Sequence, residues 1–217
     1  SSAPQLVVGF FVSKDSRTPE RTTGERFFSE GRLILGRPGT DVPTLRAWDA
    51  ADELLLEQAV DVAAGIEEPR VLVVDDQFGA LALGLSRLSP IVVADSAVLP
   101  AALASNAALN PAFSSAEQVY SWIDPPAGPF ELVVLRIPRQ ADYLAWLLRW
   151  INGVITDSSV LLAGGMIKHL PAKSVEVFGE AVQTEQVLPA RKKARVIRCR
   201  KGTESLAGWP GCWKGYA

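Results

Sequence analysis

Four short segments built only from apolar residues constrain the fold of this 217-residue chain more than any other feature. They occupy residues 71–74, 91–94, 132–135 and 160–163, and stretches with helical character lie between them. A strand that is apolar on both faces is typical of a parallel sheet buried between two layers of helices. Right-handed crossovers place helices on both sides of such a sheet. The pattern therefore predicts a doubly wound α/β fold.

The segments around these strands complete the prediction. Apolar residues at three- and four-residue spacing predict a helix from Thr44, a suitable N-cap, to Gly65. Residues 181–188 and 192–199 look like two strands without a helix between them, which predicts an antiparallel hairpin that closes the edge of the sheet. Further strands are predicted at 6–12, 33–35 and 119–122, and further helices up to residue 88, over 98–109, over 141–155 and beyond 171.

The overall composition excludes several classes of protein. Hydrophobic residues make up 48% and charged residues 21% of the chain, which indicates a folded globule and excludes a disordered chain or a fibre. No stretch approaches the roughly 18 consecutive apolar residues of a membrane helix. Residues 1–5 lack the features of a signal peptide, so we expect a cytoplasmic protein with no membrane partner. Cys199, Cys212 and the single His169 form neither a disulfide framework nor a usual zinc site, and no metal is expected.

Positive charge is concentrated in residues 191–201, which contain seven basic residues and no acidic one. The rest of the chain carries 15 of the 22 basic residues against all 24 acidic ones. Such concentration indicates a localised anionic partner. The alternative is a solvated edge strand whose charges prevent edge-to-edge aggregation. The basic residues are Arg191, Lys192, Lys193, Arg195, Arg198, Arg200 and Lys201.

The turn after the first apolar strand is where such a fold would bind a nucleotide-like cofactor. Asp75 follows that strand, and Asp95 stands about twenty residues on, where a ribose hydroxyl would be held. A cofactor-binding turn needs several glycines, because side chains block the approach of the backbone to the ligand. Here Gly79 lies in the tight turn, while Gln77 and Leu81 occupy positions whose side chains would project into the cleft. The site therefore looks vestigial.

Both retained features also have ordinary explanations. Gly79 suits any tight turn from a strand into a helix. Asp95, followed by Ser96, suits the N-cap of the next helix.

Five segments in order resemble one family of RNA-modifying enzymes. They are residues 45–55, 73–81, 135–139, 163–170 and 191–197. Together they resemble the N-terminal half of two-domain ribosomal RNA guanine-N2 methyltransferases of the large-subunit type. The resemblance implies a class I methyltransferase (Rossmann-like) fold with a mostly parallel seven-stranded sheet. It also implies that a C-terminal copy of the fold binds S-adenosylmethionine and carries the chemistry, while the N-terminal copy helps to hold RNA.

The chain departs from the catalytic copies of this fold at two motifs. Gln77 and Leu81 stand where such copies have two of three glycines. Residues 137–140 stand where they have an Asn-Pro-Pro-aromatic tetrad, which accepts a hydrogen bond from the target amino group and stacks on the base. Ile137 offers no acceptor, and no aromatic ring follows it. The resemblance therefore implies no catalytic residue and no cofactor in this chain, with S-adenosylmethionine held by a catalytic half that the chain lacks.

The leading hypothesis is a catalytically silent methyltransferase-like domain that positions ribosomal RNA for the catalytic domain of the same protein. Its expected RNA contacts lie in the basic segment, with two arginines beside the cleft as a second candidate. They are Arg191, Lys192, Lys193, Arg195 and Arg198, and then Arg136 and Arg139. We expect an N-terminal extension, partly mobile, over 1–32, the methyltransferase-like domain over 33–201, and the start of a linker to the catalytic domain over 202–217.

Two alternatives stay open. In the first alternative, the chain is itself an S-adenosylmethionine enzyme with a degenerate first turn, in which Asp75, Gly79 and Asp95 hold the cofactor. In the second alternative, the chain is a structural module that docks against the catalytic half or another subunit through its tryptophan-rich tail, with Trp209 and Trp213.

Overall fold

A computed structural model describes residues 25–29, 31–39, 46–113 and 118–209. An antiparallel hairpin, β1 (Glu25–Ser29) and β2 (Gly31–Leu35), precedes the main sheet. The strands of the main sheet are β3 (Val71–Val74), β4 (Ile91–Val93), β5 (Val119–Tyr120), β6 (Phe130–Arg136), β7 (Ile155–Met166), β8 (Gln183–Val187) and β9 (Ala194–Arg200). The helices are α1 (Ala50–Ala64), α2 (Ala80–Gly84), α3 (Val98–Leu109), α4 (Ala141–Val154) and α5 (Ser174–Ala181), with short 3-10 turns at Ser86–Leu88 and Ile167–His169.

The main sheet has seven strands in the order β5-β4-β3-β6-β7-β9-β8. The first five pair in parallel, whereas β9 pairs antiparallel with both β7 and β8. The predicted doubly wound sheet and the antiparallel hairpin at its edge are therefore confirmed. The second strand of the hairpin lies inside the sheet and the first forms its edge. All strands of the main sheet except β9 end at one side of it, which we call the carboxyl edge.

The core consists of two apolar layers, one on each face of the sheet. Val73 and Val134 pack against α1, α2 and α3, while Val74 and Leu135 pack against α4 and α5. Neighbouring residues of one strand belong to opposite layers, because successive side chains point to opposite faces of the sheet. All four of these side chains are fully buried. This arrangement explains why the central strands are apolar throughout.

Helix α1 begins at Ala50, so the predicted start near Thr44 is not what the structure shows in the residues that it describes. Asp49 is the N-cap, and its carboxylate accepts the backbone N–H groups of Ala51 at 2.9 Å and Asp52 at 3.2 Å. The Asp52 carboxylate accepts the N–H of Asp49 in return, at 2.9 Å. This reciprocal capping box satisfies otherwise unpaired N–H groups at the helix start. Apolar spacing and the choice of Thr44 as the N-cap placed the predicted start too far upstream.

Two further boundaries differ from prediction. Residues 25–29, within the predicted loop 13–32, form β1. Ala181, within a predicted strand, ends α5, and β8 begins at Gln183. The predicted strand at 6–12, together with Cys212 and Trp213, lies outside the described residues.

Two buried asparagines, Asn106 in α3 and Asn110 at its C-cap, hold β2 in place. The Asn110 amide accepts the N–H of Ile34 and donates to its carbonyl, both at 2.6 Å. The Asn106 amide bonds in the same way to Gly36, at 2.7 and 3.0 Å, and also donates to the Phe78 carbonyl at 2.7 Å. The two amides thus supply the hydrogen bonds that a neighbouring strand would supply. They connect the N-terminal hairpin to α3, and Asn106 also bonds to the turn between β3 and α2.

None of the helices in the described part of the chain has the length and apolar character that crossing a membrane requires.

Candidate functional site

A cleft of about 1080 Å³ opens at the carboxyl edge, beyond the ends of β3, β4 and β6. Its position is the one at which open α/β sheets bind ligands. Carboxylates dominate the charged groups in its lining, and aromatic rings of α4 and of the C-terminal segment face it. The carboxylates belong to Asp49, Asp75, Asp76, Asp95 and Asp142, and the rings include Tyr143, Trp146 and Trp209.

Asp75 lines this cleft and accepts hydrogen bonds from two neighbouring groups. It has a positive φ of 56°, and its carboxylate accepts the backbone N–H of Asp95 at 3.3 Å. The Tyr143 hydroxyl also donates to it, and that hydroxyl in turn accepts the Nε1–H of Trp122 at 2.9 Å. Burial raises the pKa of Asp75 to about 6, although the hydrogen bond from Tyr143 acts in the opposite direction. The structure therefore brings Asp75 and Asp95 together, as the sequence predicts.

Gly79 serves the conformation of the turn. Its φ of +97° lies in the left-handed region, where a side chain is strained. A Cβ atom at this position would meet Cδ1 of Leu103 at 3.0 Å. Gly79 is buried and does not belong to the lining of the cleft.

The expectation that both Gln77 and Leu81 project into the cleft is half wrong. Gln77 is exposed and lines the cleft. Leu81 is fully buried in the core beneath α2, because the first turn of that helix rotates its side chain towards the sheet. Only Gln77 therefore places a side chain where a bound cofactor would meet the turn.

Asp76 is buried directly behind the first turn. Its Oδ2 atom accepts the backbone N–H of Ala82 at 2.9 Å, which ties the end of β3 to α2. Burial raises the pKa of its carboxyl group, while hydrogen bonds and the charge of Arg136 act in the opposite direction. The second acid of the Asp-Asp pair thus stabilises the turn from inside.

Arg136, at the end of β6, forms a buried ion-pair cluster with the start of α1. Its two terminal nitrogens bind the two carboxylate oxygens of Asp49 at 2.8 and 2.9 Å, and Oδ1 of Asp52 lies 3.4 Å away. Although burial opposes ionisation, this arginine lowers the pKa of Asp49. Burial raises the pKa of Asp52 to about 7. Arg136 is only 6% exposed, so an RNA phosphate reaches it only after this cluster opens.

The residues in place of the catalytic tetrad directly follow Arg136 in the chain. The N–H of Ile137 donates to the Gly164 carbonyl at 2.9 Å, which continues the pairing of β6 with β7. Arg139 and Gln140 are exposed and line the cleft. The exposed Arg139, unlike Arg136, presents its charge to solvent.

The basic segment divides into two groups that lie at opposite ends of β9. Arg191 and Lys192 precede β9 at the carboxyl edge and pair with acids of α1, Lys192 with Glu53 at 3.2 Å. Arg198 and Arg200 both pair with Glu185 of β8, at 2.6 and 3.2 Å. Much of the positive charge is therefore neutralised within the fold, which the sequence alone did not indicate.

The sequence model of the RLMG N-terminal domain family matches residues 26–203. The chain belongs to this family. Membership confirms the resemblance carried by the five ordered segments. The chain is thus an RLMG N-terminal domain, and the cleft is a feature of that domain.

Curated relatives carry the name ribosomal RNA large subunit methyltransferase G. The relative from Pseudomonas syringae pv. tomato is 35% identical over 171 residues, which cover 78% of this chain and 45% of that protein. The relative from Yersinia pestis is 35% identical over 174 residues, which cover 80% and 43%. The part of the RLMG N-terminal domain that matches therefore covers less than half the length of these relatives.

Solved methyltransferases share the fold. A 16S rRNA N2 methyltransferase from T. thermophilus, in complex with AdoMet and guanosine, superposes with a TM-score of 0.55 at 19% identity and covers 84% of this chain and 46% of that chain. A ribosomal protein L11 methylase from Lactobacillus delbrueckii subsp. bulgaricus gives 0.54 at 23%, covering 70% and 78%. These likenesses confirm the class I methyltransferase fold of the RLMG N-terminal domain.

Sequence reasoning missed several residues that shape the site. Trp122 and Tyr143 lie more than forty residues from Asp75, and no local pattern connects them to it. Two signals were present in the sequence: Asp49 and Asp52 have the spacing of a capping box, and Asp76 directly follows a buried strand.

Proposed function

We propose that this RLMG N-terminal domain does not transfer a methyl group itself, and that it helps to hold ribosomal RNA for a catalytic domain of the same protein. The observation that carries the first half is the segment after β6. Ile137 has no side-chain acceptor, and its backbone N–H is bonded to Gly164. This position therefore offers no side-chain acceptor to a target amino group.

The residues in the cleft do not fit S-adenosylmethionine. Gln77 fills part of the space in front of the turn, and Gly79 is turned towards Leu103. The Asp75 carboxylate is engaged by Tyr143 and by the backbone of Asp95. We therefore propose that the cofactor binds in the other half of the protein. The alternative of a self-sufficient S-adenosylmethionine enzyme depends on these same residues and is the weaker proposal.

The RNA-holding half of the proposal rests on the name of the relatives and on the charge of the carboxyl edge. The relatives are named for large-subunit ribosomal RNA. Exposed basic groups such as Arg139 and Lys193 lie where a bound polyanion would release counterions. The same proposal places the protein in the cytoplasm.

A structural role in docking has its own supporting observation. The Trp209 ring packs against the Arg149 guanidinium of α4 at 4.6 Å and lines the cleft. The chain thus passes the mouth of the cleft before its final residues. We propose that the segment around Trp209 packs against the catalytic domain while the basic groups at the carboxyl edge contact RNA. The two roles are therefore compatible.

One pair of titrations tests the proposed function. Calorimetry with S-adenosylmethionine should detect no binding at millimolar ligand, and filter binding with protein-free large-subunit ribosomal RNA should detect a complex that weakens steeply with salt. Saturable micromolar binding of S-adenosylmethionine would contradict catalytic silence, and Asp95→Ala would then show whether the cleft is responsible. Absence of an RNA complex at low salt would contradict the holding role.

A further inference from the structure

The tip of the β8–β9 hairpin is a two-residue turn whose backbone is unusual for its sequence. Arg191 and Ala194 exchange two backbone hydrogen bonds, at 3.0 and 2.9 Å. Between them, Lys192 and Lys193 have φ values of +48° and +63°. A two-residue turn with positive φ at both central positions is typically Asn-Gly, because most other residues are strained there. Here both positions carry lysine.

Strained residues that persist in a fold often mark functional sites. Lys192 has a structural partner, since its ammonium group lies 3.2 Å from Oε2 of the buried Glu53. Lys193 is exposed, and its side chain forms no ion pair or hydrogen bond with any residue that the structure describes. The fold therefore accepts strain at Lys193 without a hydrogen bond or ion pair of its side chain in return.

Other positive groups surround this tip. The N–H of Ile167 donates to the carbonyl of Lys193 at 2.9 Å, which places the 3-10 turn with the exposed Lys168 beside it. The same turn includes His169, which lines the cleft with the exposed Arg139. Desolvation and the charges of Arg139 and Lys168 lower the pKa of His169, as expected when both cations lie close to the imidazole. Positive charge thus extends from the hairpin tip to the rim of the cleft.

At the opposite end of the basic segment, the arginines have partners within the fold. Arg198 and Arg200 share Glu185, and Arg200 also donates to the carbonyls of Ser158 and Ser159 at the start of β7. Their charges are partly neutralised, and they lie away from the carboxyl edge. Lys201 follows them at that far end and provides a matched control.

We propose that Lys193, Lys168 and Arg139 form a carboxyl-edge cation surface that contacts RNA phosphates, and that the strained turn is retained because it presents Lys193. The inference rests on the proposed RNA-holding function and specifies which part of the basic segment performs it. Contacts to phosphates fix position and orientation and carry no information on the base sequence, so this surface contributes affinity and orientation and does not read the bases.

The test uses Lys193→Gly in the 217-residue chain, because glycine removes the charge and also relieves the strain. We expect the affinity for protein-free large-subunit ribosomal RNA to fall about threefold to tenfold and the salt dependence to become shallower. We expect the melting temperature to rise by about 2 to 4 °C, since glycine suits the left-handed region. Lys193→Arg should retain wild-type affinity without the rise in melting temperature. Lys168→Gln should weaken RNA binding, and Lys201→Gln should not.

The outcomes separate this inference from the function on which it rests. If the wild-type chain binds no RNA, the proposed function fails and the inference fails with it. If the wild-type chain binds RNA but Lys193→Gly and Lys168→Gln bind equally well, the RNA-holding function stands and the carboxyl-edge surface is wrong. An equal loss with Lys201→Gln would also overturn the assignment, because affinity would then depend on total charge. A melting temperature that does not rise in Lys193→Gly would overturn the role of strain.

Discussion

The burial of Arg136 changes what this residue can do. In the sequence it is one of two arginines beside a predicted cleft. In the structure its guanidinium binds both oxygens of Asp49 and lies 3.4 Å from Asp52. Arg136 and its two aspartates stabilise one another, because a buried charge without an opposite charge nearby is energetically costly. At the residue scale, Arg136 joins the end of β6 to the start of α1.

Removing Arg136 should therefore destabilise the domain strongly. We expect Arg136→Leu to lower the free energy of unfolding by about 3 to 5 kcal/mol, because Asp49 and Asp52 lose their only close cation among the described residues. Urea unfolding followed by tryptophan fluorescence measures the change. Arg139→Leu, an exposed arginine three positions on, is the matched control and should change the stability by less than about 0.5 kcal/mol. Equal stability of the two variants would show that the ion-pair cluster contributes nothing.

At the scale of elements, the fold uses side chains where a strand would ordinarily pair. Helix α3 holds β2 through two amides, so the N-terminal hairpin lies against the main body without joining its sheet. Each of these amides satisfies both an N–H and a carbonyl of the extended chain. The stability of β2 is therefore coupled to α3 more than to its own short sequence.

Asn110→Ala should release β2 locally. The N–H and carbonyl of Ile34 would lose partners at 2.6 Å, at a cost of about 1 to 3 kcal/mol for each group left unsatisfied. Hydrogen exchange at the Ile34 and Gly36 amides measures the effect, and we expect faster exchange at both. Asn152→Ala removes another buried asparagine, one that bonds to Ala181 and Glu204, and should leave these two amides unchanged. Unchanged exchange in Asn110→Ala would mean that β2 is held by other contacts.

At the scale of the whole molecule, several carboxyl groups meet in and behind one cleft. Burial raises the pKa values of Asp52, Asp75 and Asp76, whereas the Arg136 contact leaves that of Asp49 lowered. A group whose pKa is higher in the folded state binds more protons there than in the unfolded state. The free energy of unfolding then falls as the pH rises between the unfolded and folded pKa values. Three of these four acids therefore make the domain more stable under mildly acidic conditions than at neutral pH.

The domain should thus become more stable as the pH falls from 7.5 to about 5. For Asp75, whose pKa rises from 3.8 to about 6, we expect a contribution of about 1 to 3 kcal/mol. Asp75→Asn mimics the protonated carboxyl group and suits the positive φ, so it should be more stable than wild type at pH 7.5 and less sensitive to pH. Thermal unfolding at both pH values measures this. A wild-type chain that loses stability on acidification, in parallel with the variant, would contradict the assignment.

The location of the basic segment is also decided at this scale. Because β9 runs opposite to its neighbours, its start lies at the carboxyl edge beside the cleft and its end lies on the far side. A continuous run of positive charge in the sequence therefore becomes two separate groups in space.

Local sequence patterns predicted the α/β alternation and the C-terminal hairpin, whereas the number of strands in the sheet followed from the family resemblance. Apolar periodicity and the lack of a helical pattern between residues 181 and 199 are local properties, and neighbouring residues reveal them. The sequence also indicated Asp75 and Asp95, because chain order places both at the ends of adjacent parallel strands.

Which charged residues are available to a partner depends on contacts between distant parts of the chain. Asp49 and Arg136 lie 87 positions apart, and Glu53 and Lys192 lie 139 apart, so no local pattern reveals that they pair. The same holds for Leu81, whose direction is set by the packing of α2 on the sheet. Burial and ion pairing depend on what the fold brings into contact, and for that physical reason Arg136 became an internal residue while Lys193 remained exposed at the edge.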